Sequence, residues 1–509
     1  MRRITLQSRE PLFDTALTRH LEACAQANLP PHTLMDRAGL AVARMVAALA
    51  PHGRTIWIAC GPGNNGGDGL QAAAHLMRWR LEGRGAWQIH VTHTLGPDPD
   101  ADRLPADARH ALAQARAAGA TLQATPPAHA DLVVDALLGI GARQAPQGVM
   151  NAWLTHMHSA MAPVLAVDVP SGLAADTGTW SGPALSADAP ERHTLSLLTL
   201  KPGLFTGHGR DAAGQIWFDD LGIDPPVTVE PTAWLSPPGH WYPTRPHSSH
   251  KGSWGDVVVI GGQHIGMDGT GMTGAGVLAA RAALESGAGR VYLAMPGDPV
   301  AWDPGCPELM LRTPERAVTP DMLSQGAVVC GCGGGQSILP LLPAAIRDSQ
   351  RLVLDADALN AVSADTRLAD LVQARLAQGK LTVLTPHPLE AARLLGCTTS
   401  EVMGDRIAAA RALSSRLGAI CVLKGSGSVI AALGQPIIIN SSGNARLATA
   451  GTGDVLAGMI GAMVASASPA DALQRVCAAV ARHGELADHW HPRSALLASR
   501  LAQAIGDMG

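Results

Sequence analysis

Two α/β domains in tandem, each a parallel sheet wound with helices on both faces, are predicted by three features of the sequence. Apolar runs of strand length alternate with longer helix-like segments along the whole chain. Nearly every such run ends in Gly, Asp, His or Lys, as strands do where their carboxyl ends line a ligand crevice. The length of 509 residues also exceeds what one core supports, about 250–300 residues.

Composition narrows the function classes. Hydrophobic residues make up 47% and charged residues 16%, so each half can bury a core. A net charge of −4 and a pI of 6.6 provide no basic field, which argues against nucleic acid and anionic membrane as partners. No apolar run approaches the ~18–20 residues of a membrane span, and no apolar stretch follows Met1-Arg-Arg to make a signal peptide. The eight cysteines lack zinc-type spacing, so a reduced, cytoplasmic setting is expected. The only lysines are Lys201, Lys251, Lys380 and Lys424. A chain that otherwise uses arginine keeps lysine where a compact ammonium is required.

In the first half, Pro11 to Leu49 reads as two helices broken at Leu29-Pro-Pro, and Thr55 to Cys60 as a buried strand. That strand enters Gly61-Pro-Gly-Asn-Asn-Gly-Gly-Asp-Gly69 and an alanine-rich helix from Leu70. Strand, glycine loop and helix place a ligand's phosphate at a helix N-terminus, although the spacing is not the dinucleotide fingerprint. Strands ending at Asp135 and Asp168, the latter followed by Val-Pro-Ser171-Gly, converge on the same loop. An Asp closing a strand can be only a helix cap, but two of them meeting one glycine loop favour a site. Hard oxygen ligands such as Asn65, Asp135 and Ser171 suit an alkali or alkaline-earth ion, leaving Asp168 free as a base. Thr194 to Gly203 reads as a strand and turn, Gln215 to Phe218 as a last strand, and the proline-rich residues 226–240 as the linker. The expected domains are therefore 1–225 and 241–509.

In the second half, Asp256 to Gly261 is a strand, Gly266 to Gly276 a glycine-rich entry, and Val277 to Ser286 a helix. Further strands end at Ala294, at Cys330 before Gly331-Cys-Gly-Gly-Gly335, at Asp355, near His387 and at Lys424. Lys424 before Gly-Ser-Gly fits a cation at nucleotide phosphates; a surface turn is the plainer alternative. After a strand from Pro436 to Asn440, Gly451-Thr-Gly-Asp454 opens an apolar helix, Val455 to Ala467. N–H groups with no partner inside the helix would meet phosphate there. Asp454 is a poor anion binder in that position but a well-placed base.

These motifs carry a resemblance. Gly271-Met-Thr-Gly-Ala-Gly276, Asp355-Ala-Asp-Ala-Leu-Asn360, Thr385-Pro-His-Pro388, Val422-Leu-Lys-Gly-Ser-Gly427 and Ala450-Gly-Thr-Gly-Asp-Val-Leu456 resemble the ADP-dependent NAD(P)HX dehydratases. The first half is similar to the NAD(P)HX epimerases through Gly63-Asn-Asn-Gly-Gly-Asp-Gly69, Val134-Asp-Ala-Leu-Leu-Gly-Ile-Gly141, Val167-Asp-Val-Pro-Ser-Gly172 and Leu200-Lys-Pro-Gly-Leu204. The resemblance implies an N-terminal Rossmann-like three-layer domain followed by a ribokinase-like doubly wound domain. It implies repair of nicotinamide cofactors hydrated at C6: the first half interconverts the R and S hydrates, and the second removes water from the S form at the expense of ADP.

Carried over by motif, Asn64, Asn65, Gly66, Gly67 and Asp68 with Gly139, Ile140, Gly141, Ala142 and Arg143 would hold the hydrate in the first half. Asp168 would be the acid/base there, and Asn65, Asp135 and Ser171 would bind K+. In the second half Ala275, Gly333, Gly335 and His387 would contact the hydrate, with Asp454 catalytic. Lys424, Gly425, Ser426, Gly427, Ser428 and Gly453 would hold ADP, accompanied by Mg2+. A homo-oligomer is also implied. The chain departs from the family at Gly331 to Gly335, where the dehydratases have Gly-Pro-Gly-Leu-Gly. The competing enzyme reading is a ribokinase-like kinase for a vitamin or sugar hydroxyl. In that reading, or on its own, the first half is a binding or scaffold module.

Overall fold

The computed structural model describes residues 1–509 except 7, 143, 187–188, 227, 237–245, 266–269, 298–302, 304, 492 and 508–509. It divides into two compact units, Met1–Ala233 and Trp234–Gly509.

In the first unit, the sheet runs in spatial order Arg2–Arg3, Gln215–Asp219, Arg192–Leu197, Val164–Val167, Leu132–Ala136, Thr55–Cys60, Gln88–His93, Leu122–Gln123. All neighbours are parallel except the first pair. Helices on both faces bury these strands, which is why they read as unbroken apolar runs. Thr55–Cys60 lies between two parallel neighbours reached in opposite directions along the sheet, so its carboxyl end is a topological switch point. The helices Thr15–Ala27 and Thr33–Leu49 break at the Pro30-Pro31 step, as expected. Asp14 caps the first by accepting from the Leu17 N–H at 2.9 Å.

The helix after the first strand begins at Asn64 and runs to Leu81, six residues earlier than the alanine pattern alone indicates. Glycine disfavours a helix interior, but here close packing decides. A Cβ on Gly66 would lie 1.9 Å from the Gly61 carbonyl oxygen, and one on Gly69 2.7 Å from the Ala136 Cβ. The polar loop residues are therefore the first turns of the helix itself.

In the second unit, the strand order is Met310–Leu311, Arg290–Ala294, Asp256–Ile260, Gly326–Cys330, Arg351–Leu354, Leu381–Leu384, Ile420–Leu423, Val429–Ala431, Ile437–Ile439. It is parallel through Ile420–Leu423 and antiparallel beyond. Asp256–Ile260 is flanked by Arg290–Ala294 and Gly326–Cys330, which makes a second switch point. The apolar helix starts at Thr452 and ends at Ala465, so Gly453 and Asp454 belong to its first turn. It crosses the helix Thr273–Glu285 closely: a Cβ on Gly458 would sit 2.0 Å from the Ala279 carbonyl oxygen. Beyond it, the helices Ala472–Asp488 and Ala498–Asp507 bury Val476, Val480, Leu501 and Ile505 in the core. Among the described residues no helix is long and apolar enough to cross a membrane.

Candidate functional sites

The carboxyl ends of the first sheet open onto a cavity of about 420 Å³. Asn64, Asn65, Asp68, Gly139, Ile140, Gly141, Ala142 and Asp168 all line it. Gly66 and Gly67 stand behind its wall, where a Cβ on Gly67 would come 2.9 Å from the Ala108 backbone. Arg143 lies outside the described residues. Lys201, Glu22, Arg19 and Asp107 also face the cavity, and motif reading assigned none of them.

Asp168 is held in an unusual state. Its φ of +66° is in the left-handed region, which a non-glycine residue adopts only where its surroundings impose it. One carboxylate oxygen accepts from the Leu197 N–H at 3.2 Å and from the Lys201 ammonium. Lys201 is wholly buried, at 0% exposure, and it also donates to the carbonyls of Leu197 (2.8 Å) and Thr199 (2.9 Å) and to the Ser196 hydroxyl (3.4 Å). The Asp68 and Glu22 carboxyls face this pair. Burial raises Asp68 well above the usual carboxylate range, with Asp168 and Glu22 adding to the effect. Burial also raises Glu22, with Asp168 next in importance.

Asp135 and Ser171 do not line this cavity themselves; they meet each other beside its Leu137–Leu138 wall. The Ser171 hydroxyl donates to Asp135 (2.6 Å), its N–H donates to the other carboxylate oxygen (2.9 Å), and the Leu138 N–H donates to the hydroxyl (2.9 Å). Burial raises the Asp135 pKa against these hydrogen bonds. Asn65 reaches the same segment, since a Cβ on Gly139 would be 3.2 Å from its side-chain oxygen. Its amide nitrogen is buried without a hydrogen-bond partner.

In the second unit, Gly451 takes φ +90° as the N-cap, and the Val455 N–H bonds back to its carbonyl at 3.1 Å. The N–H groups of Gly453 and Asp454 are thereby left without intrahelical acceptors. The Cys332 sulfur and carboxylate oxygens of Asp355 and Asp454 all lie within 4.8 Å of one another. Asp355 accepts from Thr385 (2.7 Å), Lys424 (2.8 Å) and the Cys332 thiol (3.8 Å). Burial first, and the Asp355 charge second, push Asp454 up to about 6. A carboxylate so placed is ionised at neutral pH yet basic enough to take a proton.

The Lys424 ammonium pairs with Asp355 at 2.8 Å. Burial opposes its charge, but Asp355 and then Glu390 outweigh burial and raise its pKa. Its head also borders the helix start, with a Cβ on Gly453 falling 3.4 Å from Nζ. Behind it Arg406, 1% exposed, donates to the carbonyls of Leu423 (3.2 Å), Lys424 (3.3 Å) and Gly427 (3.5 Å). The 424–428 loop is thus shaped from inside by a buried guanidinium. Burial lowers the pKa of Arg406 to about 10, so it stays charged at neutral pH.

Gly333 and Ala275 interlock: a Cβ on Gly333 would be 2.7 Å from that of Ala275. The Gly335 N–H is taken by Asp357 at 2.8 Å. His387 caps the helix Pro388–Leu395, its Nδ1 accepting from the N–H groups of Leu389 (3.1 Å) and Glu390 (3.4 Å). Burial and then the Lys424 charge lower its pKa. The ring is therefore neutral, with its proton on Nε2, 3.2 Å from Glu390.

Known proteins resemble the two halves separately and together. A family described as NAD(P)H-hydrate dehydratase matches residues 257–507, and one described as YjeF-related protein N-terminus matches residues 31–203. A bifunctional NAD(P)H-hydrate repair enzyme of Escherichia coli is 37% identical over 487 residues, 92% of this chain and 87% of that one. Its counterpart in Vibrio cholerae is 33% identical over 504 residues, covering 96% and 95%. Among solved structures, an ADP/ATP-dependent NAD(P)H-hydrate dehydratase from Bacillus subtilis, co-crystallised with ATP/Mg2+, is 27% identical. It covers 52% of this chain and 92% of its own, with a TM-score of 0.42.

Proposed function

The chain belongs to the bifunctional NAD(P)H-hydrate repair enzymes, and from that premise we propose how its residues divide the work. Residues 1–225 form the epimerase domain and 241–509 the dehydratase domain. The observation that carries the dehydratase assignment is the placement of Asp454 in the first turn of its helix, beside Asp355 and the Lys424 ammonium.

Hydroxide is a poor leaving group, so the C6 hydroxyl of the S hydrate is first phosphorylated by ADP. Asp454 takes the hydroxyl proton as the oxygen attacks the terminal phosphorus of ADP, and the bond to AMP breaks. The N–H groups of Gly453 and Asp454 face the transferring phosphoryl group, where fixed donors stabilise charge without reorganising. The ring nitrogen lone pair then expels phosphate, and loss of a C5 proton restores the dihydropyridine. Residues Lys424 to Ser428 hold the nucleotide, while Ala275, Gly333, Gly335 and His387 hold the hydrate.

Two ions complete the reading. Asn65, Asp135 and Ser171 offer hard oxygens of the kind that fit K+, which, when bound, would orient the hydrate. In the second unit the carboxylates of Asp355 and Asp454 suit Mg2+ and the Cys332 sulfur does not. Mg2+ bound with the nucleotide would neutralise phosphate charge.

Mixing the protein with S-NADHX and ADP tests the reading. Reduced-nicotinamide absorbance returns, with one AMP and one phosphate formed per hydrate consumed. Phosphate transfer to a vitamin or sugar, with the hydrate untouched, supports the kinase alternative instead. Two predictions follow from the second site. The dehydration rate falls as pH drops through about 6, because Asp454 must be ionised to accept the proton; a rate–pH profile flat across that range contradicts its role. Arg406→Met removes a donor from the carbonyls of Leu423, Lys424 and Gly427, at about 1–3 kcal/mol for each one left unsatisfied. The KM for ADP should rise by at least about tenfold, equivalent to 1.4 kcal/mol, while R/S interconversion keeps its parent rate.

A further inference from the structure

Of the four carboxyl groups that line the epimerase cavity, Asp68 and Asp168 have opposite surroundings, and only one of these two has been given a chemical role. Asp168 is tied to the Lys201 ammonium and the Leu197 N–H, which keeps it an acceptor. Asp68 lines the same cavity from the helix Asn64–Leu81. No hydrogen bond to its carboxyl occurs among the described residues, and no cation is paired with it. The charged groups facing it are Asp168, Glu22 and Asp107, opposed by Lys201; Arg19 acts on Glu22. A half-buried carboxyl that faces three others and lacks a donor holds its proton.

Epimerisation at C6 requires both a proton donor and a proton acceptor. Asn64, Asn65 and Gly139 to Ala142 can bind the hydrate without supplying either. From this pairing we propose that Asp68 is the general acid of the epimerase and works against Asp168 as its base; the proposal rests on the epimerase reading above. Asp68 gives its proton to the C6 hydroxyl. The C6–O bond breaks and water leaves as the N1 lone pair forms an N1=C6 double bond. Water adds to the opposite face, the N1=C6 pair returns to N1, and Asp168 takes the proton of the incoming water. Asp68 is left ionised and Asp168 protonated, and exchange with water in the open cavity resets both. No oxidant, reductant or nucleotide enters the balance.

Asp68→Asn tests the role in the full-length protein, since the amide keeps shape and hydrogen-bonding capacity but has no acidic proton. R-NADHX is the substrate, the epimers are separated chromatographically, and binding of R-NADHX is measured by calorimetry. The variant should interconvert the epimers about 10²–10⁴-fold more slowly, with affinity for R-NADHX within about threefold and unchanged dehydration of S-NADHX. The parent's rate should fall at high pH as Asp68 loses its proton, and that alkaline limb should be missing from the residual activity of the variant. Inversion in heavy-oxygen water should carry the label to C6.

A variant that turns over at the parent rate, or that loses affinity alone, makes Asp68 a binding residue and overturns the proposal. Inversion without label overturns the water route. If Asp68→Asn does not fold, the parent's pH profile decides, because an epimerase with no alkaline limb has no such acid. A parent chain that fails to interconvert the hydrates removes the epimerase reading itself, a result distinct from all of these.

Discussion

Asp454→Asn should slow dehydration of S-NADHX by about 10²–10⁴-fold, the usual contribution of a positioned base, while the R and S hydrates interconvert as in the parent. The amide has nearly the size of the carboxylate, so the helix start and its free N–H groups remain, and ADP should bind with little change. The loss then falls on kcat, as expected for an interaction made only as the proton moves. The same substitution should stabilise the protein. The folded state raises Asp454 from 3.8 to about 6, so folding favours the protonated form and works against the ionised form at neutral pH. A carboxyl raised in this way gives its full stability below its unfolded pKa and loses it as pH rises through about 6. Replacing it with Asn removes a cost of up to about 3 kcal/mol at pH 8. The thermal midpoint of the variant should exceed the parent's at pH 8 and match it near pH 4. Equal dehydration in variant and parent would exclude Asp454 as the base. An unchanged midpoint at pH 8 would show that the site carries no electrostatic strain.

The two halves of this result differ in how far the sequence revealed them. Glycines before a carboxylate at the head of an apolar helix are a local pattern, and Gly451 to Asp454 could be read as a phosphate-facing base directly. The partners that tune it are not local. Asp355 lies 69 residues from Lys424 in sequence, and only the parallel sheet, in which Leu381–Leu384 lies between their strands, brings them together. Asp168 and Lys201 are joined over 33 residues in the same way. The scarcity of lysine was the available signal: of the four lysines, Lys201 and Lys424 pair with Asp168 and Asp355. Cys332 stood in an unfamiliar glycine loop, and nothing in that stretch indicated that its sulfur reaches two carboxylates. The start of the helix at Asn64 was hidden for another reason. Glycine propensity points away from a helix there, and the contact of Gly66 with Gly61 that overrides it is tertiary. His387 was legible as a functional position between prolines, but its capping of Pro388–Leu395 already accounts for the residue type.

Asp168→Asn and Lys201→Met should separate chemistry from stability at the other site. Asp168→Asn removes the base, so R-NADHX should accumulate in a mixture of both epimers supplied with ADP, while the S hydrate is repaired at the parent rate. Asn can still accept from Lys201 and from the Leu197 N–H, so the fold should be kept, although the ammonium loses its counter-charge. Lys201→Met is the harsher change. It leaves the Asp168 carboxylate buried without its cation and strips donors from the Leu197 and Thr199 carbonyls. Breaking a buried pair from one side costs about 3–5 kcal/mol, and the denaturation midpoint of the first unit should fall accordingly. Combining the two substitutions should recover part of that stability, because no unpaired charge remains, but none of the epimerisation. If the double variant is no more stable than Lys201→Met alone, then Lys201 serves the carbonyls and not Asp168. If Asp168→Asn still consumes the R hydrate at the parent rate, the left-handed turn at residue 168 has a purely structural origin and the base must lie elsewhere on the cavity wall.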